Sequence, residues 1–262
     1  MKISQEHLDE LRHAMEILEN PGIIAKITNI FGQPIEKALE FLPKNLHEKI
    51  GSITETALLK AADTAIFTMK DIPNTQPSNW WHKISVATSG AVGGFFGLPA
   101  LAVELPISTT IMLRSIIDIA RSQGESISDP HVKLACLEVF AFGGNSDTDD
   151  ASESGYFATR IALTKTMAEA ANRLTGKTFA EEGASAIVHL ISKIASRFSI
   201  QISEKVTAQA VPAIGAAGGA IVNTLFIDHF QDMAKGHFIV RRLEKIYGEE
   251  AVKEAYEQML KK

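Results

Sequence analysis

A chain of 262 residues, 45% hydrophobic and 22% charged, carries enough apolar material for a large core and too much for a disordered protein. Its net charge of −5, with no basic stripe interleaved with aromatics, argues against nucleic acid as a partner. The single cysteine, Cys136, excludes an internal disulfide framework and fits a reducing, cytoplasmic setting. Its apolar helical context, KLACLEVFAF, predicts an inert buried thiol.

The N-terminal MKISQEHLDELRHAMEIL lacks the uninterrupted apolar stretch and small-residue cleavage site of a secretory leader. Ile3, Leu8, Leu11, Met15 and Leu18 recur instead at helical spacing and predict an amphipathic helix. Asn20-Pro21-Gly22 ends it, and Phe31-Gly32-Gln33-Pro34 and Pro43-Lys44-Asn45 punctuate short helices that follow. A longer helix is expected over 46–69. DIPNTQPSN, residues 71–79, then reads as a linker between an N-terminal helical arm, 1–70, and a helical core domain, 80–262. Core helices are expected over 80–97, 106–123, 130–142, 155–174, 179–199 and 203–246, the last bent near Pro212. Ser128-Asp129-Pro130 supplies a cap followed by a first-turn proline. A charged tail, GEEAVKEAYEQMLKK, closes the chain as a short helix. No period-two segment stands out, so the expected class is an all-α, multi-helix bundle.

Two loops imitate ligand motifs. GGNSDTDDASESG, residues 143–155, lacks the glycine turn and final glutamate of a calcium loop and reads as a solvated acidic loop. ANRLTGKT, residues 171–178, has the look of a phosphate loop, but it follows a helix-like segment where a phosphate loop follows a buried strand. Nucleotide binding is therefore not expected.

Ile84–Val103 and Val206–Ile227 carry no charge over 20 and 22 residues, long enough to cross a hydrocarbon core of about 30 Å as helices. Their glycines, prolines and hydroxyl residues weigh against insertion. Gly90-x-x-x-Gly94, Gly93-x-x-x-Gly97 and Gly215-x-x-x-Gly219 place small residues on one face, where a second backbone can approach. The expectation is two central glycine-rich apolar helices packed together. They would lie inside a soluble or peripherally bound bundle, with an integral hairpin as the alternative. Trp80-Trp81-His82-Lys83 suits an interfacial anchor or a core filling equally.

Candidate chemistry concentrates in those helices. Glu104 and Asp118 share a stripe with Arg114 one turn from Asp118. This set reads either as a structural ion pair or as working carboxylates. Asp228, His229 and His237 are candidate metal ligands in NTLFIDHFQDMAKGHFIVRRLE. His229 and His237 lie about 12 Å apart along a straight helix, so they do not share one ion, while His229 with Asp232 could supply two ligands. Glu10–His13, with no second copy, reads as a surface coincidence.

Three strings, GGFFGLPALAVELPISTTIMLRSIIDIARSQGE, LACLEVFAFGG and VPAIGAAGGAIVNTLFIDHFQDMAKGHFIVRRLE, resemble the bacterial EcsC protein family in the same order, over roughly residues 45–250. The resemblance implies an all-helical protein without an established catalytic mechanism. The family is named for a protein encoded beside the ATPase and membrane parts of an ABC transporter. Its C-terminal signature is similar to a helical domain of some bacterial membrane-associated GTPases. Glu138 falls in the matching strings and joins Glu104 and Asp118 as a catalytic candidate, and Arg114, Asn223, Arg241 and Arg242 become binding candidates. The expected function is a non-catalytic, membrane-associated accessory protein, or a binder of lipid or another apolar ligand, linked to transport or secretion. It would be cytoplasmic or attached to the inner face of the cell membrane. Its partners would be membrane lipid or ABC-transporter-type membrane proteins, with no cofactor. The alternative is a metal- or carboxylate-dependent hydrolase with its site buried in the bundle.

Overall fold

The computed structural model describes residues 3–19, 22–31, 44–66, 98–144, 155–174, 184–210 and 215–261. Among them nine α-helices follow one another, and no strand occurs. They are α1 Gln5–Leu18, α2 Ile23–Phe31, α3 Lys44–Ala61, α4 Leu98–Ser122, α5 Pro130–Glu138, α6 Gly155–Leu174, α7 Ala184–Ala210, α8 Gly215–Tyr247 and α9 Glu249–Leu260. A π-turn, Ala62–Ile66, extends α3, and a 3₁₀ turn, Val139–Ala141, extends α5.

Local chemistry sets several ends. Ser4 caps α1 by accepting from the His7 N–H at 3.3 Å. Asp129 caps α5 by accepting from the His131 N–H at 2.8 Å, with Pro130 in the first turn as the sequence predicts. Leu11, Ala14 and Leu18 form the single buried face of α1, which lies along α8. α3 packs against α4 and α7, and α6 against α7. The centre is aromatic: Phe140, Phe198 and Phe230 are all buried, with ring centroids 4.8–5.3 Å apart. Tilted and edge-on pairs of this kind add to the hydrophobic term.

Two long helices run in parallel. Gln231 on α8 donates to the Ser115 hydroxyl on α4 at 3.0 Å, and Arg241 on α8 meets Glu125, just beyond α4, at 3.5 Å. Both links join positions 116 apart, so α4 and α8 keep one register over ten residues. α7 runs antiparallel to α8: Gln209 pairs with Asn223, while Phe198, earlier on α7, touches Phe230, later on α8. The start of α4, the start of α8 and the end of α7 therefore meet at one end of the bundle.

Three boundaries differ from expectation. α4 begins at Leu98 and carries Pro106 inside it, although proline was expected to open the helix there. A mid-helix proline removes one backbone bond. The carbonyl it frees is that of Ala102, an exposed residue, where water can take the bond. α7 runs without interruption through 199–203, and the regular part of α5 stops at Glu138, four residues early. The proposed linker 71–79, the helix 80–97 with Gly90, Gly93, Gly94 and Gly97, the acidic residues 145–154 and Pro212 lie outside the described residues. So does Gly176-Lys177-Thr178. The twenty residues before that stretch, 155–174, are the helix α6, not the strand a phosphate loop requires.

Gly236 marks the tightest approach of α1 to α8. A Cβ there would lie 2.7 Å from Leu18 Cγ and 3.2 Å from the Ala14 carbonyl oxygen, whereas one on Gly51 of α3 would meet nothing within 4 Å. Gly236→Ala is expected to destabilise the protein by about 1–3 kcal/mol through overpacking. Gly51→Ala should stabilise it by up to about 1 kcal/mol through helix propensity. Denaturant midpoints of the two variants, which should move in opposite directions, check both.

Candidate functional site

The described residues concentrate buried polar groups where α5, α6 and α8 meet. Glu138 ends α5, Tyr156 and Arg160 stand one turn apart on α6, and His237, Arg241 and Glu244 lie along α8. Arg160 grips Glu244 with both terminal nitrogens, at 2.6 and 3.0 Å, and also donates to the Tyr156 hydroxyl at 3.4 Å. Tyr156 Oη lies 2.9 Å from His237 Nδ1, and His237 Nε2 lies 3.7 Å from Glu138 Oε2.

Arginine can only donate, so the Tyr156 oxygen accepts from Arg160, and the same oxygen is paired with His237 Nδ1. Glu138 lies on the other side of the imidazole, beyond hydrogen-bond distance of Nε2. Phe142 closes the cluster, with its ring 5.0 Å from both the Tyr156 and the His237 rings.

Burial controls protonation here. It pushes the Glu138 carboxyl up to about 7, against the pull of Arg160 and Arg241. It also holds His237 well below the ordinary histidine range, with Arg241 and Arg160 acting in the same direction. His237 is thus the neutral member of a chain sealed from solvent. Glu138, Tyr156 and His237 are all buried, and together they join three helices.

The second candidate histidine is built differently. His229 is buried, neither ring nitrogen finds a hydrogen-bond partner among the described residues, and burial drives its pKa to about 3. It lies against Gly143, whose φ of +76° is left-handed and where a Cβ would collide with the imidazole. Gln201 on α7 donates to the Phe142 carbonyl at 2.9 Å and fixes the same turn.

The remaining candidates scatter. Asp228 is exposed, Asp232 takes Lys235 at 3.1 Å, and His229 faces the core, so these three do not form a ligand set. No group of three or more His, Cys, Asp or Glu able to hold a metal occurs among the described residues. Asp118 takes Arg121 at 2.9 Å. Glu104, some 21 Å away along the same helix, takes Lys205 of α7 at 3.0 Å. The two acids do not act as a pair; Asp118 has a cation one turn away on its own helix, and Glu104 has one from another helix. Arg114 is half-buried on α4. Asn223 accepts from Gln209 at 3.0 Å. Arg241 shares Glu125 with Lys245, at 3.5 and 2.5 Å. Arg242 pairs with Glu10 at 2.7 Å in the wall of a recess of about 540 Å³ that also includes His13 and Gln123. Cys136 is buried, and burial raises its thiol pKa, as its context predicts.

The end where α4, α7 and α8 meet has the opposite character. Val103 and Ile107 on α4 are 68% and 58% exposed, and Ile221 on α8 is 42% exposed. The 116-residue register puts Ile221 level with Leu105, between the two. Among the described residues no helix is long and apolar enough to cross a membrane.

An all-helical bundle with a sealed polar centre and an aliphatic end is thus the class that fold and side chains define. The chain belongs to the EcsC protein family, whose family model matches residues 5–243. That span takes in α1 as well as the strings that carried the resemblance. Neither a curated protein nor a solved structure matches the chain.

Glu138 offers a test of the sealed centre. A carboxyl whose folded pKa is raised contributes stability that is fully present below its unfolded value, near 4.5, and lost as pH rises through about 7. Glu138→Gln removes that loss. Relative to the wild type, the variant should therefore gain up to about 3 kcal/mol between pH 4.5 and 7.5. The depressed histidines act in the opposite sense, losing stability as pH falls below their unfolded value near 6.5. They are common to both proteins and cancel in the difference. Guanidinium unfolding of both proteins across that range gives the measurement; a pH-independent difference would contradict the assignment.

Proposed function

We propose that this EcsC-family protein is a non-catalytic accessory protein that attaches to a lipid surface through the aliphatic end of its bundle. It would act from the cytoplasmic side, beside the transport machinery that the family resemblance implies. The observation that carries this reading is the exposure of Val103, Ile107 and Ile221 at one level of two parallel helices. Grouped aliphatic exposure of this kind marks interaction sites on otherwise polar surfaces. The sequence leading into and out of that end supports a lipid partner. Positions 84–103 and 206–227 contain no ionisable side chain, although the chain as a whole is 22% charged.

The magnitude favours reversible attachment. Covering three half-exposed aliphatic side chains is worth about 3–5 kcal/mol, comparable to a marginal single lipid anchor and far short of a spanning helix.

The purified protein is expected to float with liposomes in a density gradient. A Val103→Asp/Ile107→Asp variant, with both changes at exposed positions that leave the core intact, should lose at least about tenfold in partitioning. Equal flotation of the two proteins, or none by the wild type, would remove this reading.

A further inference from the structure

The aliphatic end contains one anomaly, a charged pair. Glu104 stands between Val103 and Ile107 with 27% of its side chain exposed, and its partner Lys205 is 3% exposed. The Lys205 ammonium lies 3.0 Å from Glu104 Oε1 and 5.0 Å over the Phe226 ring, so the cation is held between a carboxylate and an aromatic face. From 98 to 113 on α4 Glu104 is the only ionisable residue, and from 205 to 227 Lys205 is the only one. Within those two segments the one negative and the one positive charge cancel within hydrogen-bond distance, on a chain whose net charge is −5.

Resting on the lipid-surface reading, we infer that Lys205 is a positioning residue that neutralises Glu104 so that this end enters the headgroup layer of a zwitterionic bilayer. The partner is accordingly a neutral phospholipid surface, held by apolar contact and needing no anionic lipid. An unpaired carboxylate at this place would have to be desolvated on entry, at a cost comparable to the aliphatic gain. The pair removes that cost before the membrane is met. Lys205 is not available to an anionic headgroup in the way a free basic patch would be, because it is spent on Glu104.

The inference is tested with vesicles of pure phosphatidylcholine and of phosphatidylcholine with phosphatidylglycerol. Flotation at pH 6 suits the purpose, since burial holds the neighbouring Glu204 carboxyl at about 7. Wild-type protein is expected to bind both vesicles about equally and with little dependence on salt. Lys205→Met, which leaves the carboxylate alone, should bind phosphatidylcholine at least about tenfold more weakly and the anionic vesicles more weakly still. Glu104→Gln, which leaves the cation alone, should reverse that order and prefer the anionic vesicles. Glu104→Gln/Lys205→Met should recover wild-type binding to phosphatidylcholine. A merely structural pair would not produce opposite lipid-charge preferences in the two single variants. Wild type that floats together with single variants sharing its lipid preference would overturn the role of Lys205 and leave the lipid-surface reading standing. Wild type that fails to float would remove the reading itself. Should Lys205→Met fail to fold, the anionic preference of Glu104→Gln and the charge-neutral double variant still decide the matter.

Discussion

The arrangement on which the structure depends is the two-nitrogen grip of Arg160 on Glu244. Aliphatic contacts between helices are nearly directionless, and a helix shifted by one turn along its neighbour would still bury most of its apolar face. A planar guanidinium meeting a carboxylate has one geometry. From it follow the position of the Tyr156 hydroxyl one turn away and the His237 ring two turns back along α8. Glu138 brings α5 to the same point. Burying a charge costs several kcal/mol unless it is met, and the Arg160–Glu244 pair is met in this register by two charge-assisted hydrogen bonds.

The two core histidines show how differently a buried imidazole can be accommodated. His237 is hydrogen-bonded through Nδ1 to Tyr156, which sets its ring orientation. His229 has no such partner among the described residues and packs against a glycine in a left-handed conformation, where a Cβ would collide with its ring. Gln201 ties that turn to α7. The turn at Phe142 and Gly143 is thus held by a hydrogen bond from Gln201 and by its steric fit to His229.

What could be read in the sequence is what periodicity and local caps encode. The amphipathic face of α1, the start of α5 at Asp129-Pro130, the all-helical class and the family all belong here. So does the inert character of Cys136. What could not be read is whatever joins distant positions. Arg160 and Glu244 are 84 residues apart, Lys205 and Glu104 are 101 apart, and no spacing rule points from one to the other. Glu104 stands out in the sequence as a charge out of place, but a single helix shows only its own i, i+3 and i, i+4 neighbours, and the counter-ion comes from another helix. Pro106 misled for a related reason. Proline at a helix start is a local preference, whereas tolerance of proline inside α4 depends on which carbonyl faces water, and that is a tertiary fact. His229 and His237 stood out as polar residues in an apolar helix. Their separate fates turned on Gly143 and Tyr156, residues with no sequence signal of partnership.

The helix directions give the aliphatic end its electrostatic character. α4 and α8 both begin there, so two helix N-termini, each worth roughly half a positive charge, lie side by side. α7 ends there in the antiparallel sense, presenting a C-terminus of opposite sign that offsets the repulsion. Lys205, near that end of α7, pairs with Glu104 of α4, with its ammonium over Phe226. At the other end of α8 the pattern is reversed. Arg241 and Lys245 converge on Glu125 just past the α4 terminus, and Arg242 reaches Glu10 on α1. Cations near the C-termini of α4 and α8 suit the negative ends of those dipoles. Among the described residues, ion pairs therefore gather toward the C-terminal side of this pair of parallel helices, while Val103, Ile107 and Ile221 stand exposed toward the other side, beside the Glu104–Lys205 pair. This difference in polarity, more than any one residue, distinguishes the two ends.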